Sequence, residues 1–310
     1  MKVLITGAAG FIGGHFLNFA LKNNLFKEIK VLDNLTYASN PEFIYNLVNT
    51  NQIEFFKGSI CDSELVSKAS KKCNVVINFA AESHVDNSIL NPIHFMESNI
   101  LGVGVILDCL KRNNVEKFVQ ISTDEVYGSI ESGAATEKSN LNPASPYSSS
   151  KAAADLIVNS FHKTFGINTL ISRTTNNYGP RQHSEKLIPK IIKKMLRNES
   201  IPIYGNGNNI RNWIYVEDNC IAISRIISKG NSGDIYNIAG DIEISNIDLV
   251  HKISTIMNLE PKIDFVTDRL GHDYRYAVDD SKIRNLGFIP QTNIESGLKK
   301  TIEWYLSPIC

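Results

Sequence analysis

The sequence predicts an α/β protein, a doubly wound parallel sheet carrying a smaller mixed α/β C-terminal lobe. Three observations carry this. The first 175 or so residues alternate short apolar runs with amphipathic stretches, as parallel strands joined by crossover helices do. A glycine-rich turn links the first such strand to the first helix, and after Asn177 the alternation breaks down. The strand candidates are Lys2–Ile5, Ile29–Leu32, Ile53–Phe56, Val75–Asn78, Lys117–Ile121 and Thr169–Ser172. Between them Phe11–Lys22, Ser63–Lys71, Pro92–Arg112 and Tyr147–Phe165 read as helices, the third with Pro at its first turn, where a missing N–H costs nothing. Beyond residue 177, Tyr178-Gly-Pro and Pro202-Ile-Tyr-Gly-Asn-Gly-Asn-Asn alternate with helical stretches near 187–197, 217–228 and 246–257. The expected division is 1–176 and 177–310, the second lobe interleaved with the first.

At 310 residues the chain can bury a large core. Lys plus Arg equals Asp plus Glu at 32 each, so no whole-molecule field draws in nucleic acid or an anionic membrane, and a small-molecule partner is expected. Cys61, Cys73, Cys109, Cys220 and Cys310 are odd in number and lack CxxC or metal-site spacing; they read as reduced thiols, with no metal expected. The N-terminal apolar run Val3–Ile5 is too short for a signal peptide, and no stretch approaches the roughly 20 uninterrupted apolar residues of a membrane span. A cytoplasmic location is the expectation.

Gly7-Ala-Ala-Gly10-Phe11-Ile-Gly13 follows a strand and opens a helix. In that setting glycines let a pyrophosphate approach the backbone and rest on a helix N-terminus, the Rossmann arrangement, although the spacing here is GxxGxxG. Asp33 ends the second strand, where a carboxylate accepts from both adenosine ribose hydroxyls. No Arg follows it to neutralise a 2′-phosphate, so NAD is favoured over NADP.

Tyr147 and Lys151 lie four apart at the start of a helix and share one face. An ammonium beside the phenol is expected to lower its pKa from about 10 toward working pH, making Tyr147 a base for a sugar hydroxyl. The strand ending at Ile121 runs into Ser122-Thr123-Asp124-Glu125, at the sheet edge where open α/β folds bind ligands. Two adjacent acids offer a general acid and a general base, provided the site separates their pKa values.

The segments Asp33-Asn-Leu-Thr-Tyr-Ala38, Ala80-Ala-Glu-Ser-His-Val-Asp86, Ser122-Thr-Asp-Glu-Val-Tyr-Gly128, Ser145-Pro-Tyr-Ser-Ser-Ser-Lys151, Asn176-Asn-Tyr-Gly-Pro180, Glu185-Lys-Leu-Ile-Pro189 and Asp268-Arg-Leu-Gly-His272 span nearly the whole chain. Together they resemble the dTDP-glucose 4,6-dehydratases of the extended short-chain dehydrogenase/reductase superfamily. The resemblance implies that Tyr147 takes the C4 hydroxyl proton during oxidation to a 4-keto sugar. Glu125 then removes the C5 proton, and Asp124 protonates the departing C6 hydroxyl. Thr123 would hydrogen-bond the C4 oxygen, and Lys151 would hold the nicotinamide ribose.

The same resemblance places Ile12, Asn34, Thr36, Ser59 and Ile60 at the cofactor, with Ala80, Ala81, Ser98 and Asn176. It places Ser83, Asn177, Lys186, Leu187 and Pro202 at the nucleotide sugar, with Tyr204, Arg211, Asn246 and His272. Lys186 and Arg211 can neutralise a diphosphate, and Tyr204 can face a base. Three positions depart from the family pattern: Ser59 replaces the Asp before Ile60, Asn87 an Arg, and Leu270 a Pro. The resemblance also implies a homodimer paired through helices 92–112 and 147–165. Related activities on the scaffold, a UDP-sugar 4-epimerase, a UDP-glucuronate decarboxylase or a UDP-glucose 4,6-dehydratase, remain alternatives, as does a silent dinucleotide-binding protein. Asp124 and Glu125 argue against epimerase and decarboxylase, which eliminate no water.

Overall fold

The computed structural model describes residues 1–113 and 115–307. Its strands are β1 (Lys2–Thr6), β2 (Glu28–Asp33), β3 (Glu54–Lys57), β4 (Val75–Asn78), β5 (Lys117–Thr123), β6 (Thr169–Thr174), β7 (Asn176–Tyr178), β8 (Ile201–Tyr204), β9 (Ile210–Tyr215), β10 (Ile235–Ile238), β11 (Ile242–Ser245) and β12 (Ile263–Val266). The helices are α1 (Phe11–Lys22), α2 (Pro41–Asn49), α3 (Ser63–Ser70), α4 (Val85–Leu90), α5 (Pro92–Met96), α6 (Gly102–Asn113), α7 (Pro146–Phe165), α8 (Leu187–Leu196), α9 (Val216–Lys229), α10 (Asn246–Met257), α11 (Ser281–Arg284) and α12 (Ile294–Leu306).

The expected doubly wound sheet is present, in the order β10-β6-β5-β4-β1-β2-β3 and parallel throughout. Alternate residues of β1 explain why both faces are covered. Val3 and Ile5 join a core with α1, α2 and α9, whereas Leu4 points into a second core with α3, α6 and α7. The seventh strand, β10, comes from the C-terminal half and pairs with β6, so the two halves of the chain do interleave. A third core gathers α8, α10 and α12 over the small sheet β11-β9-β7 and the pair β12-β8.

Strand order reverses about β1 and β4, opening a crevice at their carboxyl ends. Helix α7 is firmly started at that edge: Ser145 and Ser148 cap each other reciprocally, Pro146 opens the first turn, and Gly166 closes the helix at φ 68.

The helix expected over Pro92–Arg112 is divided. A π-helical turn, Glu97–Leu101, separates α5 from α6. Asn99 accounts for the extra residue: its Oδ1 accepts from the Glu82 amide at 2.9 Å, and its Nδ2 donates to Glu82 O at 3.0 Å and to Ser150 Oγ at 2.8 Å. The turn sends Ser98 into the crevice while Asn99 stays buried.

The composite segment Pro92–Asn113 has a mean hydropathy of 1.4 and is, by length and composition, long and apolar enough to cross a membrane. Its apolar residues are interrupted by Glu97, Asp108, Lys111 and Arg112, so it does not form the uninterrupted apolar run on which the expectation from sequence rested. The segment packs against α3 and α7 inside the fold. Helices α2 and α4 were not anticipated, although Asn40 caps α2 and Pro41 opens it. Among the described residues, Cys61, Cys73, Cys109 and Cys220 are free thiols; Cys310 lies outside them.

Candidate active site

A cleft of about 470 Å³ runs from the carboxyl ends of β1, β2, β4 and β5 to the C-terminal lobe. Every residue assigned from sequence to cofactor, substrate or chemistry lines it.

At the sheet end the backbone itself forms the cradle. Gly7 sits at φ +69, and a Cβ there would lie 2.4 Å from the Ala80 amide nitrogen; one on Gly13 would lie 2.3 Å from Gly7 O. Helix α1 has no side-chain cap, so its first N–H groups remain free to meet an anion. Asp33 is fixed across the turn, Oδ2 accepting from the Ala9 amide and Oδ1 from the Leu35 amide, each at 2.8 Å. Each carboxylate oxygen keeps a second lone pair for a ribose hydroxyl. Burial pushes the Asp33 carboxyl up, against those two hydrogen bonds. Steric space for a pyrophosphate and a rigidly aimed carboxylate fit a dinucleotide.

Ser59, where relatives of the resembled family carry Asp, uses its hydroxyl to accept from the Cys61 amide at 3.1 Å, while Ile60 forms the wall. Asn34, Thr36, Ala80, Ala81 and Asn176 complete that end.

The reacting centre lies at the end of β5. Thr123 Oγ1 donates to Asp124 Oδ1 at 3.1 Å and accepts from the Glu125 amide at 3.3 Å, capping a 3₁₀ turn over Asp124–Tyr127. Asp124 Oδ2 is buried and has no hydrogen-bond partner among the described residues. Burial, reinforced by the negative charge of Glu125, pushes Asp124 up to about 8. Glu125 is also raised by burial, with the cations Arg211, Lys186 and Arg269 opposing the rise; for Asp124 the opposition comes from the Thr123 hydrogen bond and from Arg211. Both acids are raised, and they differ in their surroundings: Asp124 has Glu125 beside it adding to the rise, whereas Glu125 is faced by three cations that oppose it.

Lys151 Nζ donates to Ile121 O at 2.6 Å, and burial lowers its pKa to about 8. Tyr147 differs from expectation. Burial, with Glu125 adding to it, raises the phenol above its usual value, and Thr123 opposes through a hydrogen bond. Desolvation of the buried phenol is the largest cause.

The lobe end is built from charged side chains. Arg211 donates to Ile210 O, Tyr274 O and Asp273 O and lies over the Tyr276 ring at 4.2 Å. Lys186 Nζ donates to Ser83 O at 2.7 Å, and Asn177 Nδ2 to Thr174 Oγ1 and Thr175 O, both at 3.0 Å. The Oδ1 atoms of Asn177 and Asn246 are buried and unpartnered among the described residues. Tyr204 donates to Asp86 Oδ2 at 3.2 Å, and His272 Nδ1 meets Asp268 Oδ1 at 2.6 Å; Leu187 and Pro202 supply apolar wall.

Sequence reasoning missed Arg269, which grips Asp86 through Nε at 2.6 Å and Nη2 at 3.1 Å across the cleft mouth. It also missed Tyr276, which donates to Asp273 Oδ2, and Asn99. Arg269 sat within a quoted motif, but nothing local marks which Arg reaches a distant Asp. Asn87 Nδ2 donates to Tyr37 OH at 3.1 Å, and Leu270 is exposed.

A glycine cradle beside Asp33, a Tyr-Lys pair and an acid pair at one strand end define an extended short-chain dehydrogenase/reductase-type site. The chain belongs to the GDP-mannose 4,6-dehydratase family, whose model matches residues 4–301. It is 45% identical over 307 residues to a low-salt glycan biosynthesis protein of Haloferax volcanii, covering 99% of both chains. It is 40% identical over 311 residues to the dTDP-glucose 4,6-dehydratase of Streptomyces niveus, covering 98% of this chain and 93% of that one. Among solved structures, the dTDP-glucose 4,6-dehydratase of Streptomyces venezuelae with NAD and TYD bound superposes with a TM-score of 0.95 at 40% identity, over 98% of this chain and 97% of that one.

Proposed function

We propose that the protein is an NAD-dependent dTDP-glucose 4,6-dehydratase, yielding dTDP-4-keto-6-deoxyglucose. The observation that carries it is the Asp124–Glu125 pair, one acid with its Oδ2 unpartnered among the described residues and held toward protonation, the other faced by three cations, beside Tyr147 and Lys151. Gly7, Gly10, Phe11, Ile12, Gly13 and Asp33 would hold the dinucleotide, with Lys151 at its nicotinamide ribose. When bound, NAD accepts hydride from C4 and returns it at C6.

Thr123 and Tyr147 hold the C4 oxygen, and Tyr147, in its phenolate form, takes its proton. With C4 oxidised, the C5 proton becomes acidic and Glu125 removes it. Asp124 gives its proton to the C6 hydroxyl, which leaves as water, and Glu125 returns its proton to C5 as C6 is reduced. Arg211 and Lys186 face the diphosphate, and Tyr204 with Leu187 and Pro202 the base. A thymine methyl is worth about 1–3 kcal/mol against uracil in a shaped pocket. Residues 1–176 act chiefly on the cofactor and 177–310 on the nucleotide sugar.

The proposal includes a cytoplasmic homodimer. Leu90, Ile93, Met96, Leu101, Leu156 and Phe165 are large, apolar and exposed along α4–α7, and a second copy packing there would cover them.

Incubating the purified protein with dTDP-glucose or UDP-glucose, without added reductant, tests the reaction by mass spectrometry. Loss of one water from the thymidine sugar with no net NADH supports it. An unchanged mass with an epimeric sugar, or no turnover, sinks it.

A further inference from the structure

Two walls of the cleft are joined by an exposed contact that the chemistry above does not use. Tyr37 stands at the tip of the loop after β2. Both ends of that loop are held to the glycine turn: Asp33 Oδ2 accepts from the Ala9 amide at 2.8 Å, and the Asn40 amide donates to Ala9 O at 2.8 Å. Between these anchors Thr36, Ala38 and Ser39 line the cleft, and Leu35 takes a positive φ of 54, a strained conformation for a bulky side chain. Tyr37 OH shares its proton between both carboxylate oxygens of Glu185, each at 3.2 Å, and accepts from Asn87 Nδ2 at 3.1 Å. Its ring meets that of His183 edge-on, with centroids 5.5 Å apart.

Glu185 belongs to the opposite wall and directly precedes Lys186, the N-cap of α8. His84 Nε2 at 3.8 Å and His183 Nδ1 at 3.6 Å face the same carboxylate. One side chain thus gathers the loop after β2, segment 84–87 and the substrate lobe. On its other side Tyr37 lines, with Asn87 and Phe95, a second cavity of about 290 Å³, which shares Thr36, Glu82 and His94 with the main cleft. The ring therefore has room to swing away from Glu185, and an exposed hydrogen bond on a surface loop opens and recloses readily.

We infer that Tyr37 and Glu185 are positioning residues that form a clasp across the dinucleotide cleft, holding the reduced cofactor in place between oxidation at C4 and reduction at C6. This rests on the proposed reaction, in which cofactor lost between the two steps would leave the keto sugar stranded. Neither side chain needs to touch the dinucleotide, because the clasp acts by joining the walls on either side of it.

Stopped-flow fluorescence tests this without any sugar: the protein is loaded with NADH and chased with excess NAD. Y37F keeps the ring against His183 and removes only the hydroxyl, so its melting temperature should match the parent's. The inference expects Y37F to release NADH about tenfold faster or more, as loss of a hydrogen bond to a charged group implies. Because the clasp bars entry and exit alike, association also accelerates, and Kd rises much less than the release rate. E185A should behave as Y37F does, and Y37F/E185A no worse than either, since all three break the same link. Release at the parental rate from a folded Y37F overturns the inference, as do additive effects in the double variant. So does a Kd that rises in step with release while association stays unchanged, which would make Tyr37 an ordinary contact of the cofactor. A parent that binds no NADH at all sinks the cofactor reading itself, and the clasp with it.

Discussion

At the sheet end of the cleft the backbone does the shaping: a positive-φ glycine, a bare helix N-terminus and a carboxylate held by two amides. At the lobe end the shaping falls to long charged side chains reaching across the cleft, Arg269 to Asp86 and Lys186 to Ser83 O. The first kind of site has little freedom and is spoiled by adding an atom. The second can rearrange around a ligand, because half-exposed ion pairs are cheap to break. The reacting acids sit between the two, on the rigid side of the boundary.

Substitutions at the reacting centre should have the largest effects. Y147F and E125Q are expected to lower kcat by about 10²–10⁴. They separate in stopped-flow absorbance: E125Q still oxidises C4 and accumulates reduced cofactor, whereas Y147F does not. If both accumulate it equally, the assignment of the two bases is wrong.

Next comes the cradle. G13A drives a methyl into Gly7 O and should weaken NAD binding at least tenfold while costing about 1–3 kcal/mol of stability, read by titration calorimetry and thermal melting. A variant that binds NAD normally would show that the sheet end is as pliable as the lobe.

The pH profile of the parent gives a third measure. Asp124 works as an acid, so its contribution is present below its raised pKa and lost as pH rises through about 8; Lys151 loses its charge over the same range. The basic limb of kcat should therefore fall near pH 8, and D124N should remove the Asp124 part of it. A limb near the ordinary carboxylate value would contradict a protonated Asp124.

The smallest effect is expected at the mouth. D86N releases Arg269 and should change KM a few-fold, with less than about 1 kcal/mol of stability, since the pair is only partly buried. A large fall in kcat would move Asp86 into the reacting centre.

The same contrast governs what could be read from the sequence. Sheet strands and their glycine turn carry local signals, apolar runs and φ demands, and Lys2–Ile5 or Val75–Asn78 needed no tertiary information. Asp33, Thr123 and Tyr147 were legible because strand ends and helix starts fix where such side chains go. The division of helix 92–112 was not, because the π turn answers to Asn99 bonding Glu82 and Ser150, residues far apart in sequence. Nor was β10, whose place beside β6 depends on a crossover through α9. The rise of the Tyr147 pKa was missed because spacing shows a neighbouring ammonium but not burial.

The central claim is that one cleft oxidises C4, eliminates water across C5 and C6, and reduces C6 with the same hydride. dTDP-glucose deuterated at C4 measures this directly. The account predicts a product that has lost water and carries the deuterium at C6; deuterium retained at C4 or lost to solvent would contradict it.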